Sequence, residues 1–194
     1  MNIDITTFKL LNVVDSCSIW NIVLSPKIYH ASIEAKCYYS LTHFVEYECL
    51  HKVGKEPRDE SKIKALKEEF DKNKFMRCSL SIDDLQEIDL LNNRKSLGKG
   101  ELSSIALAKK TRQAFMTDDK RARSFGLQIL GKSETQTTPH LVGYLFYNRY
   151  LTDGDFPIIL KQHQSSLCKS WGDLTRFFQE VYDEAMRLRL LTSK

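Results

Sequence analysis

The sequence has no long apolar run. Hydrophobic residues make up 42% of the 194 positions, yet no uninterrupted apolar stretch approaches the roughly 20 residues that a membrane helix needs. The opening residues Met1-Asn2-Ile3-Asp4-Ile5 lack the basic and apolar regions of a secretory signal. We therefore expect a cytoplasmic protein that buries a hydrophobic core and does not span a membrane.

Several catalytic motifs are also missing. The five cysteines are scattered and never arranged as CxxC, which argues against a disulfide framework and against a zinc site. The five histidines show no HExxH or HxH spacing. The chain has no GxSxG nucleophile elbow and no P-loop. These absences argue against zinc hydrolases, serine hydrolases of the elbow type and P-loop nucleotide hydrolases.

The excess of positive charge is small. A net charge of +4 suits a nucleic-acid-binding protein but does not identify one. Basic residues do flank two acidic motifs, with Lys95, Lys99, Lys109 and Lys110 around Glu101, and with Lys120, Arg121 and Arg123 after Asp119. Solvated helix faces explain any one of these residues equally well.

Short apolar stretches alternate with helical patterns along the chain. The predicted strands are residues 10–14, 75–82, 114–117 and 127–130, and Ser16 or Ser18 is expected to cap the first helix. The predicted helices cover residues 31–51, 61–70, a segment opening at Asp83 and Asp84, 102–107, 120–125, 141–150, 156–163 and 173–191. Short connections between strand and helix imply parallel crossovers. We therefore expect a three-layer α/β/α fold with a central parallel sheet and additional C-terminal helices.

Two regions follow from this pattern. Residues 1–150 are expected to form the main domain, with a charged helical insertion near 53–73. Residues 151–194 are expected to form a helical extension that packs on the domain or contacts a partner.

Acidic residues stand at the ends of predicted strands and helices. Asp15 ends the first strand, Asp118 and Asp119 end the third, and Glu101 belongs to the turn Gly98-Lys99-Gly100-Glu101. Glu46 lies on a predicted helix, with Glu48 as its rival. Ligands bind at the carboxyl edge of a parallel sheet, and hard divalent cations prefer oxygen ligands. Each acid also has a purely structural explanation, either as a helix cap, as a favourable charge at a helix N-terminus or as a solvent-facing residue.

Taken in order, these motifs resemble one nuclease family. Val13-Val14-Asp15-Ser16, Glu46, Gly98-Lys99-Gly100-Glu101 and the segment from Thr117 to Arg123 are similar to the motifs of PIN-domain nucleases, which include the VapC-like toxins of toxin–antitoxin pairs. The resemblance extends from about Leu10 to Tyr150. It implies a PIN-like α/β/α fold and a Mg²⁺- or Mn²⁺-dependent endoribonuclease that cleaves RNA, is inhibited by a protein antitoxin and forms a homodimer.

The resemblance also assigns roles to individual residues. It makes Asp15, Glu46, Glu101 and Asp119 catalytic, and it makes these four together with Asp118 metal ligands. The hydroxyls of Ser16 and Thr117 would support the ligands, with Thr117 holding Asp119. Contacts to RNA phosphates would come from Lys99, Lys120, Arg121 and Arg123.

Two other functions share parts of this pattern. A haloacid-dehalogenase-like phosphatase requires a second aspartate two residues after the first, where this chain has Cys17. A catalytically inactive PIN-like domain that binds RNA or protein is the remaining alternative.

Overall fold

The protein forms a parallel sheet between two layers of helices. A computed structural model describes residues 4–51, 60–72, 74–92, 97–166 and 173–192. Its strands are β1 (Leu11–Val14), β2 (Tyr38–Thr42), β3 (Phe75–Cys78), β4 (Ala114–Met116) and β5 (Thr135–Gln136). All neighbouring strands pair in parallel, in the order β3-β2-β1-β4-β5. The expected three-layer α/β/α fold with extra C-terminal helices is confirmed.

Ten α-helices surround this sheet within the described ranges. They are α1 (Ser16–Val23), α2 (Pro26–Glu34), α3 (His43–Leu50), α4 (Glu60–Asp71), α5 (Ile82–Asn92), α6 (Lys99–Thr111), α7 (Lys120–Ile129), α8 (Thr138–Tyr147), α9 (Phe156–Ser166) and α10 (Thr175–Thr192). None of the described helices is long and apolar enough to cross a membrane. Lys95 and residues 53–59 of the expected insertion lie outside the described ranges.

Two apolar clusters cover the two faces of the sheet. One contains Val13 and Phe115 together with buried residues of α5, α6 and α7. The other joins α1, α2 and the C-terminal helices, and in it Phe178, Val181 and Ala185 of α10 are buried with Phe146 of α8. The described part of residues 151–194 therefore packs on the domain.

Helix α8 is held very closely by two other segments. A Cβ atom added at Gly143 would lie 2.5 Å from Ile5 Cγ2 and 3.0 Å from Val181 Cβ. Only glycine, which has no Cβ, allows the N-terminal segment and α10 to approach the helix this closely.

The helix expected over residues 31–51 is wrong as a single element. Helix α2 ends at Glu34, Lys36 takes a positive φ of 59°, and the chain then enters β2 between β1 and β3. A left-handed residue ends the helix, and strand pairing on both sides favours the extended backbone over the helical spacing of apolar residues. Glu46 does lie on a helix, the shorter α3.

The strand expected over residues 127–130 is also wrong. Helix α7 continues to Ile129, and Gly126 lies against β4, where an added Cβ would be 2.9 Å from Phe115 Cδ1. Gly131 then takes a φ of 94° before the fifth strand, Thr135–Gln136. This strand is polar because the Gln136 amide donates to Asn12 Oδ1 at 2.6 Å rather than packing in the apolar core.

Candidate acidic site at the carboxyl edge of the sheet

The strand order brings two acidic segments together. From β1 the chain adds β2 and β3 on one side, and then β4 and β5 on the other, so the direction of strand addition reverses between β1 and β4. Ligands of open α/β sheets bind outside the carboxyl ends of strands at such a reversal. Val14 of β1 pairs with Met116 of β4, and the next residues are Asp15 on one strand and Thr117-Asp118 on the other.

Asp15 is buried at this reversal. Its side chain is only 2% exposed. Oδ1 accepts hydrogen bonds from Ser18 N at 3.0 Å and from Cys17 Sγ at 3.1 Å, and Oδ2 accepts one from the Thr117 hydroxyl. Asp15 therefore caps α1 itself, and the expectation that Ser16 or Ser18 caps this helix is wrong. Asp15 thus both follows the end of β1 and caps α1.

Asp118 lies beside Asp15. Asp118 accepts hydrogen bonds from Asn21 Nδ2 at 2.9 Å, from Thr138 N at 2.8 Å and from Thr138 Oγ1 at 2.5 Å. Ser18 Oγ also donates to Asp118 at 3.3 Å, so Ser18 contacts both carboxylates. Sequence reasoning missed Asn21 and Thr138. The sequence Thr137-Thr138-Pro139 is typical of a helix start, and this helix follows the last strand at the same edge. That pattern could have identified Thr138.

The buried environment of Asp15 disfavours its ionised form. Burial raises the pKa of Asp15 to about 7, and the nearby charge of Asp118 adds to this effect, although hydrogen bonds from Thr117, Ser18 and Cys17 oppose it. Within the described residues, no ion pair involves Asp15 or Asp118. The pair is therefore a place where a bound cation would stabilise the ionised form.

Asp119 has a different role in the structure. Its Oδ1 accepts hydrogen bonds from Arg121 N at 2.7 Å and from Ala122 N at 2.8 Å, which makes it the N-cap of α7. Thr117 was expected to hold the Asp119 carboxylate, but its hydroxyl donates to Asp15 and accepts from Asp119 N at 3.2 Å. Of the two consecutive aspartates, Asp118 is the one whose side chain lies beside Asp15.

The two glutamates of α3 point in different directions. Glu46 forms an ion pair with Arg77 (Nε–Oε1, 2.8 Å), and its Oε2 lies 3.6 Å from His43 Nδ1. Glu48 accepts a hydrogen bond from Ser16 Oγ at 3.4 Å. Two residues correspond to about 200° around a helix, so Glu46 and Glu48 face nearly opposite sides. Glu48 is therefore the member of α3 that reaches the acidic site.

Glu101 lies at the start of α6, next to Glu48. Its Oε2 accepts a hydrogen bond from the backbone N–H of the N-cap residue Gly98 at 2.7 Å. A Cβ atom added at Gly98 would lie 3.6 Å from both Glu101 Oε2 and Glu48 Oε1, so the two carboxylates flank this glycine. Ser104 Oγ donates to Val14 O at 3.4 Å, which ties α6 to the end of β1.

The expected phosphate-binding residues lie on helix starts around the site. Lys99 Nζ lies 6.0 Å from the centre of the Phe44 ring. Lys120 and Arg121 are exposed in the first turn of α7, and Arg123 is half-buried one turn further on.

The carboxylates at this edge form two pairs rather than one cluster. Asp15 and Asp118 both accept hydrogen bonds from Ser18, and Glu48 and Glu101 flank Gly98. Ser16, the residue after Asp15 in the chain, donates to Glu48. In the described part of the chain, no three His, Cys, Asp or Glu side chains converge closely enough to hold one metal ion as they stand. The expected five-acid set is thus divided, with Glu46 and Asp119 directed elsewhere. The remaining donors are oxygens, the type that Mg²⁺ and Mn²⁺ prefer.

Comparison with known proteins identifies no relatives. No protein-family model matches the chain, and a search of curated proteins found no match. What the chain does must therefore be inferred from its own residues.

Proposed function

We propose that this protein is a divalent-cation-dependent endoribonuclease of PIN-like type that hydrolyses RNA phosphodiester bonds in the cytoplasm. A toxin or defence role, an inhibitory protein antitoxin and a homodimer are part of the proposal. The observation that carries it is the pairing of Asp15 and Asp118 at the point where strand addition reverses, with Glu48 connected to the same edge through Ser16.

The chain supplies oxygen ligands and their support. Asp15 and Asp118 would hold Mg²⁺ or Mn²⁺, with Glu48 and Glu101 as further acids. When bound, such a cation makes water nucleophilic at neutral pH and offsets the charge on the phosphoryl group. Ser18 fixes the spacing of the first two acids, because it donates to both.

One observation favours the alternative, a domain that binds RNA or protein without cleaving RNA. Both carboxylate oxygens of Asp15 and both of Asp118 accept hydrogen bonds from the chain itself. An inactive domain would keep this network without ever binding a cation.

An RNA cleavage assay separates the two functions. We expect the protein to cleave a labelled RNA panel with Mg²⁺ or Mn²⁺, and we expect EDTA to stop the reaction. Asp15→Asn and Asp118→Asn should reduce cleavage to background, and Glu48→Gln should reduce it by about 10- to 100-fold. Glu46→Gln is the matched control on the opposite side of α3 and should cleave at the wild-type rate.

The assay also has outcomes that reject the proposal. Cleavage that survives EDTA, or that is undiminished in Asp15→Asn and Asp118→Asn, excludes cation-dependent hydrolysis at this site. RNA binding without any turnover assigns the alternative function. Circular dichroism of each variant shows whether the fold is retained.

A further inference from the structure

A groove lies beside the edge strand, away from the acidic site. It has a volume of about 950 Å³ and lies between the N-terminal segment, helix α7, strand β5 and the start of α8. This size is sufficient for a ligand larger than a single metal ion or phosphate. None of the carboxylates of the acidic site lines it.

The charges that line this groove are mainly positive. In the described part of the chain, Arg123 and Lys132 line it without an ion pair, whereas Lys9 is paired with Glu134. Asp4 also lines it and contributes one negative charge, since hydrogen bonds from the Thr6 hydroxyl at 2.6 Å and from Thr6 N at 3.0 Å lower the pKa of its carboxyl; the two cations without an ion pair remain in excess. Arg123 and Lys132 therefore make the groove attractive to an anion.

The walls of the groove are largely apolar. Leu127 lines it and is 42% exposed. Phe8 and His140 also line it, with their ring centres 5.2 Å apart in an edge-to-face contact. Unpaired cations combined with apolar and aromatic surface suit the phosphates and base faces of a single-stranded nucleic acid.

One end of the groove is formed by residues that are close in the chain to the acidic site. Thr137 lines the groove, and the next residue, Thr138, holds Asp118 with its amide and hydroxyl. Arg123 lies one turn after Asp119, the cap of α7. The chain positions that form one end of the groove therefore neighbour those that form the site.

We infer that this groove binds the single-stranded RNA segment that flanks the scissile phosphate. Arg123 and Lys132 contact its phosphates, and Leu127 with the Phe8–His140 pair contacts its bases. The inference rests on the proposed function, because the acidic site defines which phosphate is cleaved.

Binding measurements under varied salt test this inference. The probe is a fluorescein-labelled single-stranded RNA of about 15 nucleotides, and each protein also carries Asp15→Asn to prevent cleavage. Loss of two phosphate contacts in Arg123→Ala/Lys132→Ala should weaken binding about tenfold or more and should reduce the slope of log K against log salt by about 1.4. The control Lys64→Ala/Lys67→Ala removes the same charge from exposed positions of α4 and should bind like its parent.

Each outcome decides a separate question. If the wild type cleaves RNA while Arg123→Ala/Lys132→Ala binds with unchanged affinity and slope, the groove assignment fails and the proposed function stands. If the wild type cleaves nothing but these substitutions still lower the affinity and the slope, the proposed function fails, and the groove is a site for single-stranded RNA with no scissile phosphate beside it. Binding of an acidic polyglutamate peptide in place of RNA would assign the groove to a protein partner and overturn the inference.

Discussion

Asp15 meets two opposing demands. As the N-cap of α1 it accepts a backbone hydrogen bond, a role that the ionised carboxylate fills best. As a side chain buried beside Asp118 it is disfavoured in its charged form, and its pKa is raised from 3.8 to about 7. Capping alone does not require burial next to a second carboxylate, so the position costs stability that a purely structural cap would not cost.

This raised pKa predicts the pH dependence of stability. Between pH 3.8 and about 7 the native state keeps the Asp15 proton that the unfolded chain releases. The contribution of Asp15 to the free energy of unfolding should therefore fall as the pH rises through this window, by at most roughly 4 kcal/mol, and then stay level. Asp15→Asn should lack this contribution, so urea unfolding in the absence of divalent cations should show the variant gaining on the wild type from pH 4 to pH 7. A difference between the two proteins that is independent of pH would contradict the assignment.

For individual residues, the sequence predicts the position of Asp15 but leaves two choices open, Asp118 or Asp119 and Glu46 or Glu48. Asp15 is predictable because a local apolar run ends at it. Asp119 caps α7, whereas Asp118 accepts a hydrogen bond from the start of α8. Because the two aspartates are adjacent, the sequence alone does not show which of them takes which position. The choice between Glu46 and Glu48 depends on the rotation of α3 about its axis, which packing against α6 decides.

Among the elements, helix α7 is capped by Asp119, the second of the two consecutive aspartates. Asp119 satisfies two backbone N–H groups at its start. Asp119→Ala should lower the free energy of unfolding by about 1 kcal/mol, whereas Asp119→Ser should restore most of that loss because serine also caps helices. Chemical denaturation measures the difference.

The same variants test the assignment of Asp118 over Asp119. Asp119→Ser should retain RNA cleavage, and Asp118→Asn should lose it. Should Asp119→Ser lose cleavage while keeping its stability, Asp119 would be a ligand as well as a cap.

The secondary-structure elements that the sequence patterns failed to predict are strands that form through pairing with adjacent strands. Strand β2 becomes a strand through pairing with β1 and β3, although its apolar residues also fit a helical spacing. Strand β5 is two residues long and pairs through Phe115↔Thr135 and Met116↔Gln136, so no local periodicity marks it. By contrast, α4 and α10 have strong amphipathic patterns and lie close to their predicted limits.

For the whole molecule, cation binding should raise the melting temperature (Tm). A cation that binds only the native state at about 100 times its Kd stabilises it by about 2.7 kcal/mol, which for a chain of this size corresponds to roughly 5–10 °C in Tm. We expect Mn²⁺ to raise the Tm of the wild type and EDTA to reverse the change. Asp15→Asn and Asp118→Asn should show no such rise. An equal rise in all three proteins would place the cation elsewhere.

The close packing at Gly143 has a practical consequence for protein engineering. At the start of helix α8, Thr138 donates a hydrogen bond to Asp118, and at Gly143 the helix packs closely against Ile5 and Val181. Affinity tags, fluorescent fusions or circular permutations that disturb the N-terminal segment or α10 would thus shift a helix that holds the Asp118 carboxylate. Exposed positions on α4, whose Phe70 packs against Phe75 of the edge strand β3, are the safer attachment points for such labels.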